Sequence, residues 1–326
     1  MKDQFDRELN YLRISVVDRC NLRCLYCMPA HGAGFDAWGE ILSYEEIAFL
    51  TRCFAELGIR KVRFTGGEPL VRKNISELIA RIREIPEVKE LVMSTNGVFL
   101  KGEAGRLKGA GLDRVNISLD TLNRHRFREI AGLDRLREVL EGIEEAVTCG
   151  LKPLKLNTVL MKGVNDDEIL DLVRFAVDYG IEIRFIELMP TNGLVQLDPQ
   201  ERFLSAEEAR EKIERDFFLI PADTYFSSPA QVFSVAGTTA RVGFISPLSN
   251  VFCARCNRLR LKANGALKTC LHGKEDLDLK KLVRDGASPE EIKRRIAEVV
   301  YVRPEQHFLN EKQVKHNDFQ MSHVGG

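Results

Sequence analysis

Tyr11-Leu12-Arg13-Ile14-Ser15-Val16-Val17-Asp18-Arg19-Cys20-Asn21-Leu22-Arg23-Cys24-Leu25-Tyr26-Cys27 carries an apolar, β-branched run directly into three cysteines spaced C-x-x-x-C-x-x-C. Residues Tyr11–Val17 read as a strand, and the cysteines fall on the loop at its C-terminal end, where parallel α/β proteins keep their reactive groups. Three cysteines at fixed offsets are poorly explained by chance. A closed iron–sulfur cluster takes four thiolates, so three leave one iron able to accept an outside ligand. The competing reading is a structural zinc site completed by a distant ligand, although zinc sites usually pair C-x-x-C elements.

Outward from that stretch, five more short apolar runs predict strands: Lys61–Thr65, Glu90–Ser94, Arg114–Leu119, Lys155–Leu160 and Glu182–Leu188. Helical patterns lie between them. Ser43 and Glu46 form a capping box for Tyr44–Leu57, with Gly58 as the stop. Leu136–Cys149 ends at Gly150, and Asp166 or Asp167 is placed to cap a helix running to Tyr179 before Gly180. Regular alternation of strand and helix predicts a parallel α/β architecture, either an open doubly wound sheet or an incomplete barrel. After Met189-Pro190 the pattern becomes a helix at Ala206–Arg215 followed by short runs at Phe217–Ile220, Gln231–Val235 and Arg241–Ser246 that read as antiparallel. The chain is therefore divided into residues 1–195 and a smaller α+β region, 196–326.

Composition sets outer bounds. Among 326 residues, Lys plus Arg and Asp plus Glu both number 48, so no global field favours nucleic acid or an acidic membrane as a partner. The first ten residues are charged rather than apolar, and no run of about 18 apolar residues occurs, which argues against secretion and membrane spanning and for a cytoplasmic location. In a reducing compartment the eight cysteines are expected as metal ligands or core residues rather than disulfides. Cys53 and Cys149 sit in helical patterns and read as core. The histidines form no motif of their own, and no Ser/His/Asp arrangement is visible.

The cysteine pattern, with aromatic Tyr26 before the third cysteine, resembles the radical S-adenosylmethionine superfamily. That resemblance implies a [4Fe–4S] cluster on Cys20, Cys24 and Cys27 whose open iron binds S-adenosylmethionine, leading to a 5′-deoxyadenosyl radical. Tyr26, Gly67, Ser118 and Met189 then fall at cofactor-binding positions. Gly67 lies in Gly66-Gly67-Glu68-Pro69, which resembles the motif receiving the methionine amino group; alone it would be only a strand-ending turn. Glycines there would let backbone carbonyls come close to the ligand. With the resemblance, the fold is expected to be an incomplete (βα)6 TIM-type barrel whose mouth is closed by the C-terminal region.

A second cysteine group, Cys253, Cys256 and Cys270, is spaced C-x-x-C-x13-C, and His272 nearby makes a Cys3His zinc site a legitimate competitor. Arg258 and Arg260 alternate along an extended stretch, so both point the same way. Paired guanidinium forks beside an open iron suit a ligand with a metal-coordinating base and a phosphate chain, which describes a nucleotide.

With both groups in place, essentially the whole chain resembles the GTP 3′,8-cyclase (molybdenum-cofactor biosynthesis protein A) family. The resemblance implies a lyase with two [4Fe–4S] clusters, the second on Cys253, Cys256 and Cys270. It implies hydrogen abstraction at ribose C3′ of GTP and attack on guanine C8, giving (8S)-3′,8-cyclo-7,8-dihydroguanosine 5′-triphosphate. Arg13, Arg63, Thr95, Lys155, Arg184, Arg258, Leu259 and Arg260 match its substrate-contacting positions, and Gly325-Gly326 matches its diglycine tail, inserted near the substrate. An external low-potential electron donor and a downstream cyclic pyranopterin monophosphate synthase follow as partners, with a homodimer left open. Residues 190–204 match the family least. Two other functions remain: a different radical enzyme with an auxiliary cluster, of the peptide-maturase type, or a non-catalytic zinc protein using both cysteine groups as staples.

Overall fold

Alternation along the strands decides which way the sheet faces. The computed structural model describes residues 1–28, 34–190, 197–223 and 227–307; the tail glycines Gly325 and Gly326 lie outside the described residues. Five βα units and a sixth strand come first: β1 (Tyr11–Ser15), α1 (Tyr44–Glu56), β2 (Lys61–Thr65), α2 (Ile75–Arg83), β3 (Glu90–Thr95), α3 (Ala104–Gly109), β4 (Arg114–Ser118), α4 (Arg124–Ala131), α5 (Leu136–Thr148), β5 (Lys155–Leu160), α6 (Ile169–Tyr179) and β6 (Glu182–Glu187). There follow α7 (Ala206–Glu214), β7 (Leu219–Pro221), β8 (Ala230–Val235), β9 (Arg241–Ile245), β10 (Arg258–Leu261), β11 (Ala266–Lys268), β12 (Leu277–Asp278), α8 (Leu279–Arg284) and α9 (Pro289–Tyr301).

One face of the strands is apolar and fully covered by the helices: Leu12, Ile14, Val62, Phe64, Ile117, Leu156, Phe185 and Leu259 all belong to one core. On the other face stand Arg13, Arg63, Asn116, Lys155, Arg184 and Arg260, which line a cavity. A TIM barrel proper fills its interior with branched apolar side chains. Here the interior is polar, and the hydrophobic effect acts on the outer, helix-facing side.

Among the described residues the strands form a single sheet in the order β12-β11-β10-β1-β2-β3-β4-β5-β6-β9-β8-β7. The later strands join both edges. β9 pairs parallel with β6 and β10 pairs parallel with β1, so eight consecutive strands run the same way. β8 and β11 then occupy the outer edges of β9 and β10 in antiparallel pairings. Those pairings consume the edge hydrogen bonds that closing the barrel would require, so the barrel stays open. The expected antiparallel reading of residues 217–246 holds for β7–β8 and β8–β9; β9 also joins β6 in parallel.

The Ser43–Glu46 capping box forms as expected, with the Glu46 N–H donating to Ser43 Oγ (3.1 Å) and the Ser43 N–H to Glu46 Oε2 (2.7 Å). The expected cap of α6 does not. Asp166 accepts from the Gly163 N–H and pairs with Lys212, Asp167 pairs with Arg126, and the helix starts after Glu168. Both aspartates are drawn away by tertiary partners that no local pattern displays. Among the described residues no helix is long and apolar enough to cross a membrane.

Leu259 is fully buried on the apolar face of β10, where that strand joins β1. Leu259→Ala is expected to cost about 2–5 kcal/mol of stability through lost burial and the cavity left behind. Chemical denaturation of the metal-free chain measures this; a midpoint within error of the parent would contradict the core placement.

Candidate active site

Strand direction fixes where the two cysteine groups stand. Cys20, Cys24 and Cys27 follow the C-terminal end of β1. Cys253 and Cys256 precede β10, which is parallel to β1, and Cys270 follows β11, which is antiparallel to β10. The second group therefore sits at the opposite end of the strands, not at the C-terminal ends where α/β chemistry is expected. With about 3.3 Å of rise per residue, the groups are separated by roughly the length of a strand, on the order of 15 Å. Both line one cavity of about 1280 Å³.

Between them the register builds a row of like charges. Arg260, Arg13 and Arg63 are direct cross-strand neighbours on β10, β1 and β2. Opposed like charges destabilise a sheet, and burial aggravates this. Arg13 is pushed well below the usual arginine range, first by burial and then by Arg260, and Arg260 is brought down to about 10 by burial and Arg258. Arg63 donates through Nε to the Tyr11 hydroxyl and through Nη1 to Ser94 Oγ (2.7 Å). Although burial alone would raise it, the Tyr11 hydroxyl is lowered to about 7 by Arg63, Arg13, Lys61 and Arg258. On the other side, Lys155 Nζ donates to Glu182 (2.7 Å), which Arg184 also engages, and burial lowers Lys155 to about 8. Such a surface stabilises a polyanion.

The first cysteine loop is held by buried carboxylates. Gly67 and Glu68 donate their N–H groups to the carbonyls of Val17 and Arg19, each at 2.8 Å. A Cβ on Gly67 would lie 2.2 Å from the Arg19 carbonyl oxygen, so close backbone packing requires glycine there. The Glu68 carboxylate accepts from Thr95 Oγ1 (2.7 Å), the Asn96 N–H (2.7 Å) and the Leu70 N–H (3.0 Å), and burial raises it to about 7. Asn96 in turn donates Nδ2 to Asn21 Oδ1 (2.8 Å) and toward Cys20 Sγ (3.7 Å). Asp120, raised to about 6 by burial, accepts from the Tyr26 hydroxyl at 2.6 Å.

The donor set fits iron–sulfur clusters. All six cysteines of the two groups are free thiols. Burial pushes Cys20 up to about 11, and burial with neighbouring Cys27 and Asp120 pushes Cys24 well above the usual range. Cationic iron would relieve that penalty and keep the thiolates deprotonated. At the second group, the pull of Arg258 and Arg303 outweighs burial and lowers Cys256. Among the described residues no three His, Cys, Asp or Glu side chains converge as a single metal ion requires. A cubane, whose thiolates bind different irons, asks for no such point.

Residues 14–176 match the family model of the radical SAM superfamily, and residues 181–309 match that of Molybdenum Cofactor Synthesis C. A GTP 3′,8-cyclase of Alkaliphilus metalliredigens is 45% identical over the full length of both chains. GTP 3′,8-cyclases of Thermodesulfovibrio yellowstonii and Moorella thermoacetica are each 46% identical, covering 94% and 95% of this chain and 95% of their own. The chain belongs to the GTP 3′,8-cyclase family of radical SAM proteins. The solved structure of Streptococcus suis SuiB bound to precursor peptide SuiA aligns with 91% of this chain and 66% of its own, at a TM-score of 0.64 and 16% identity, a likeness of fold.

Within this family member, Tyr26, Gly67, Ser118 and Met189 all line the cavity, as do Arg13, Arg63, Thr95, Lys155, Arg184, Arg258 and Arg260. Leu259 does not: its side chain is in the core, on the opposite face of β10 from its two arginine neighbours. Thr95 spends its hydroxyl on Glu68. The glycines of Gly66-Gly67 make room for the Val17–Arg19 backbone, where ligand approach was the expected reason. Sequence reasoning passed over Tyr11, Asn116, Asn157 and Glu182, which also line the cavity. Their signal was present, since each is an even number of residues from Arg13, Ser118, Lys155 or Arg184 on the same strand.

Gly67→Ala is expected to displace the Arg19 carbonyl and the cysteine loop behind it. Anaerobic reconstitution should then retain about four irons where two clusters hold about eight. Full iron loading would show that the loop tolerates the added methyl group.

Proposed function

We propose that this chain cyclises GTP by radical S-adenosylmethionine chemistry, joining ribose C3′ to guanine C8 in molybdenum-cofactor biosynthesis. The observation that carries this is the Arg260–Arg13–Arg63 row, lying between two cysteine groups at opposite ends of one cavity. Cys20, Cys24 and Cys27 would hold a [4Fe–4S] cluster, which with S-adenosylmethionine would supply the 5′-deoxyadenosyl radical. The chain's own residues bind, orient and shield. Tyr26, Gly67, Ser118 and Met189 form the cofactor end, and Cys253, Cys256 and Cys270 hold the second cluster at the guanine end.

Arg13, Arg63, Lys155, Arg184, Arg258 and Arg260 neutralise the triphosphate. A triphosphate carries about four negative charges, which offsets the mutual repulsion of the arginine row. Thr95 supports the site through Glu68, and Leu259 through its packing. The polar cavity walls hold substrate in one orientation, which matters because a carbon radical is quenched by any mispositioned hydrogen donor. Gly325-Gly326 are assigned a role at the substrate on their match to the family's diglycine tail alone. Residues 1–195 act as the radical-generating part and residues 196–326 as the specificity part. An external low-potential donor, a downstream cyclic pyranopterin monophosphate synthase and a cytoplasmic location belong to the same reading, and a homodimer stays open.

Anaerobic incubation with S-adenosylmethionine, reductant and either GTP or ATP, followed by mass analysis, tests the function. A cyclised product from GTP alone is expected; turnover of ATP at the same rate, or of neither nucleotide, would defeat it. Arg258→Ala and Arg260→Ala should each weaken GTP binding about tenfold or more, as loss of a charge-assisted contact of about 1.5–3 kcal/mol predicts, with iron content unchanged. Deleting Gly325-Gly326 should abolish product while leaving both clusters loaded, and full yield from the truncated chain would remove the tail from the site.

A further inference from the structure

A buried ionic cluster joins the N-terminal segment to the segment after α9, beside the second cysteine group. The Asp3 side chain is fully covered and accepts from the Phe5 N–H (2.9 Å), the Arg7 N–H (3.0 Å) and Arg7 Nε (2.6 Å). Arg303, which follows α9, is 3% exposed, and its Nε lies 3.7 Å from Asp3 Oδ2. Its two other nitrogens reach the cysteine segment: Nη1 donates to the Cys256 carbonyl (3.2 Å) and Nη2 to Cys256 Sγ (3.6 Å). Arg7 donates to the carbonyls of Cys253 (3.1 Å), Pro304 (2.7 Å) and Glu305. One carboxylate thus hydrogen-bonds Arg7 and forms a longer ion pair with Arg303, and both guanidiniums lie against Cys253–Cys256.

Burying two guanidiniums is costly, and a single carboxylate does not neutralise both. A neutral thiol would return little of that cost. An iron-bound thiolate returns more, because a charged donor to a sulfur ligand stabilises the added electron of a reduced cluster. We propose that Arg303, held by Asp3, is a positioning residue for the second cluster, and that its Nη2–H to Cys256 Sγ hydrogen bond raises that cluster's reduction potential. The inference rests on the reading that Cys253, Cys256 and Cys270 hold a [4Fe–4S] cluster.

The test is an EPR-monitored redox titration of the full-length, anaerobically reconstituted chain carrying Cys20→Ala, Cys24→Ala and Cys27→Ala, in which the second cluster alone reports. Adding Arg303→Met should lower the reduced-to-oxidised ratio at fixed potential about tenfold, a midpoint 59 mV more negative for a one-electron couple. Arg303→Lys and Asp3→Asn should move it the same way by less, and the two-cluster holoenzyme should show the same order. A role confined to tying α9 to the loop would alter melting and leave the midpoint in place. Unchanged midpoints in Arg303→Met and Arg303→Lys would overturn the proposal. If Arg303→Met loses its iron, Arg303→Lys and Asp3→Asn decide the matter by the same criterion. Absence of iron from the triple-cysteine parent would instead refute the cluster assignment, and this inference with it.

Discussion

The parallel pairing of β10 with β1 is the constraint on which the site depends. It sets Arg258 beside Tyr11, Leu259 beside Leu12 and Arg260 beside Arg13. Because the strands are parallel, the loop entering β10 lies at the opposite end from the loop leaving β1. One pairing therefore places two cysteine groups at the two ends of a cavity and lines the space between them with cations. A one-residue slip would turn Arg258 and Arg260 into the core and Leu259 into the cavity. Leu259, packed with Leu12 and Leu261 on the apolar face, opposes that slip.

The cavity is rich in buried cations, and carboxylates on its wall engage several of them. Glu182 and Glu90 each serve two cations at the cavity wall, Lys155 with Arg184 and Lys61 with Arg114. In the central Arg260–Arg13–Arg63 row, Arg63 engages the Tyr11 hydroxyl and Ser94 Oγ. Tyr11 responds as an acid surrounded by cations does, with its hydroxyl brought down to about 7 despite burial. A polyanionic substrate completes this arrangement, and the openness of the barrel leaves room for it.

The carboxylates at the first cysteine group do different work. Glu68 joins the end of β2 to the end of β3 through Thr95 and Asn96, and Asn96 carries that linkage to Cys20. Asp120 fixes Tyr26 from the end of β4 and receives the Val159 N–H at 2.8 Å. Both acids are raised by burial, the cost of positioning a loop from within the protein rather than from its surface.

All six barrel strands and the Ser43–Glu46 helix start were legible, because periodicity, caps and glycine stops are local signals that the fold reinforces. The first cysteine group was visible too, since its three thiols fall within eight residues of one loop and line the cavity together. Helix α9 carried a local signal of its own in Ser288-Pro289 with Glu291, whose N–H donates to Ser288 Oγ. By contrast, the start of α6 was decided by Arg126 and Lys212, which lie far from it in the chain. What the tertiary structure alone decided was long-range. The pairing of β10 with β1 across about 250 residues, the opposite placement of the second cysteine group, and the meeting of Asp3 with Arg303 depend on strand direction and register. Those are properties of the packed sheet, and no window of sequence contains both partners.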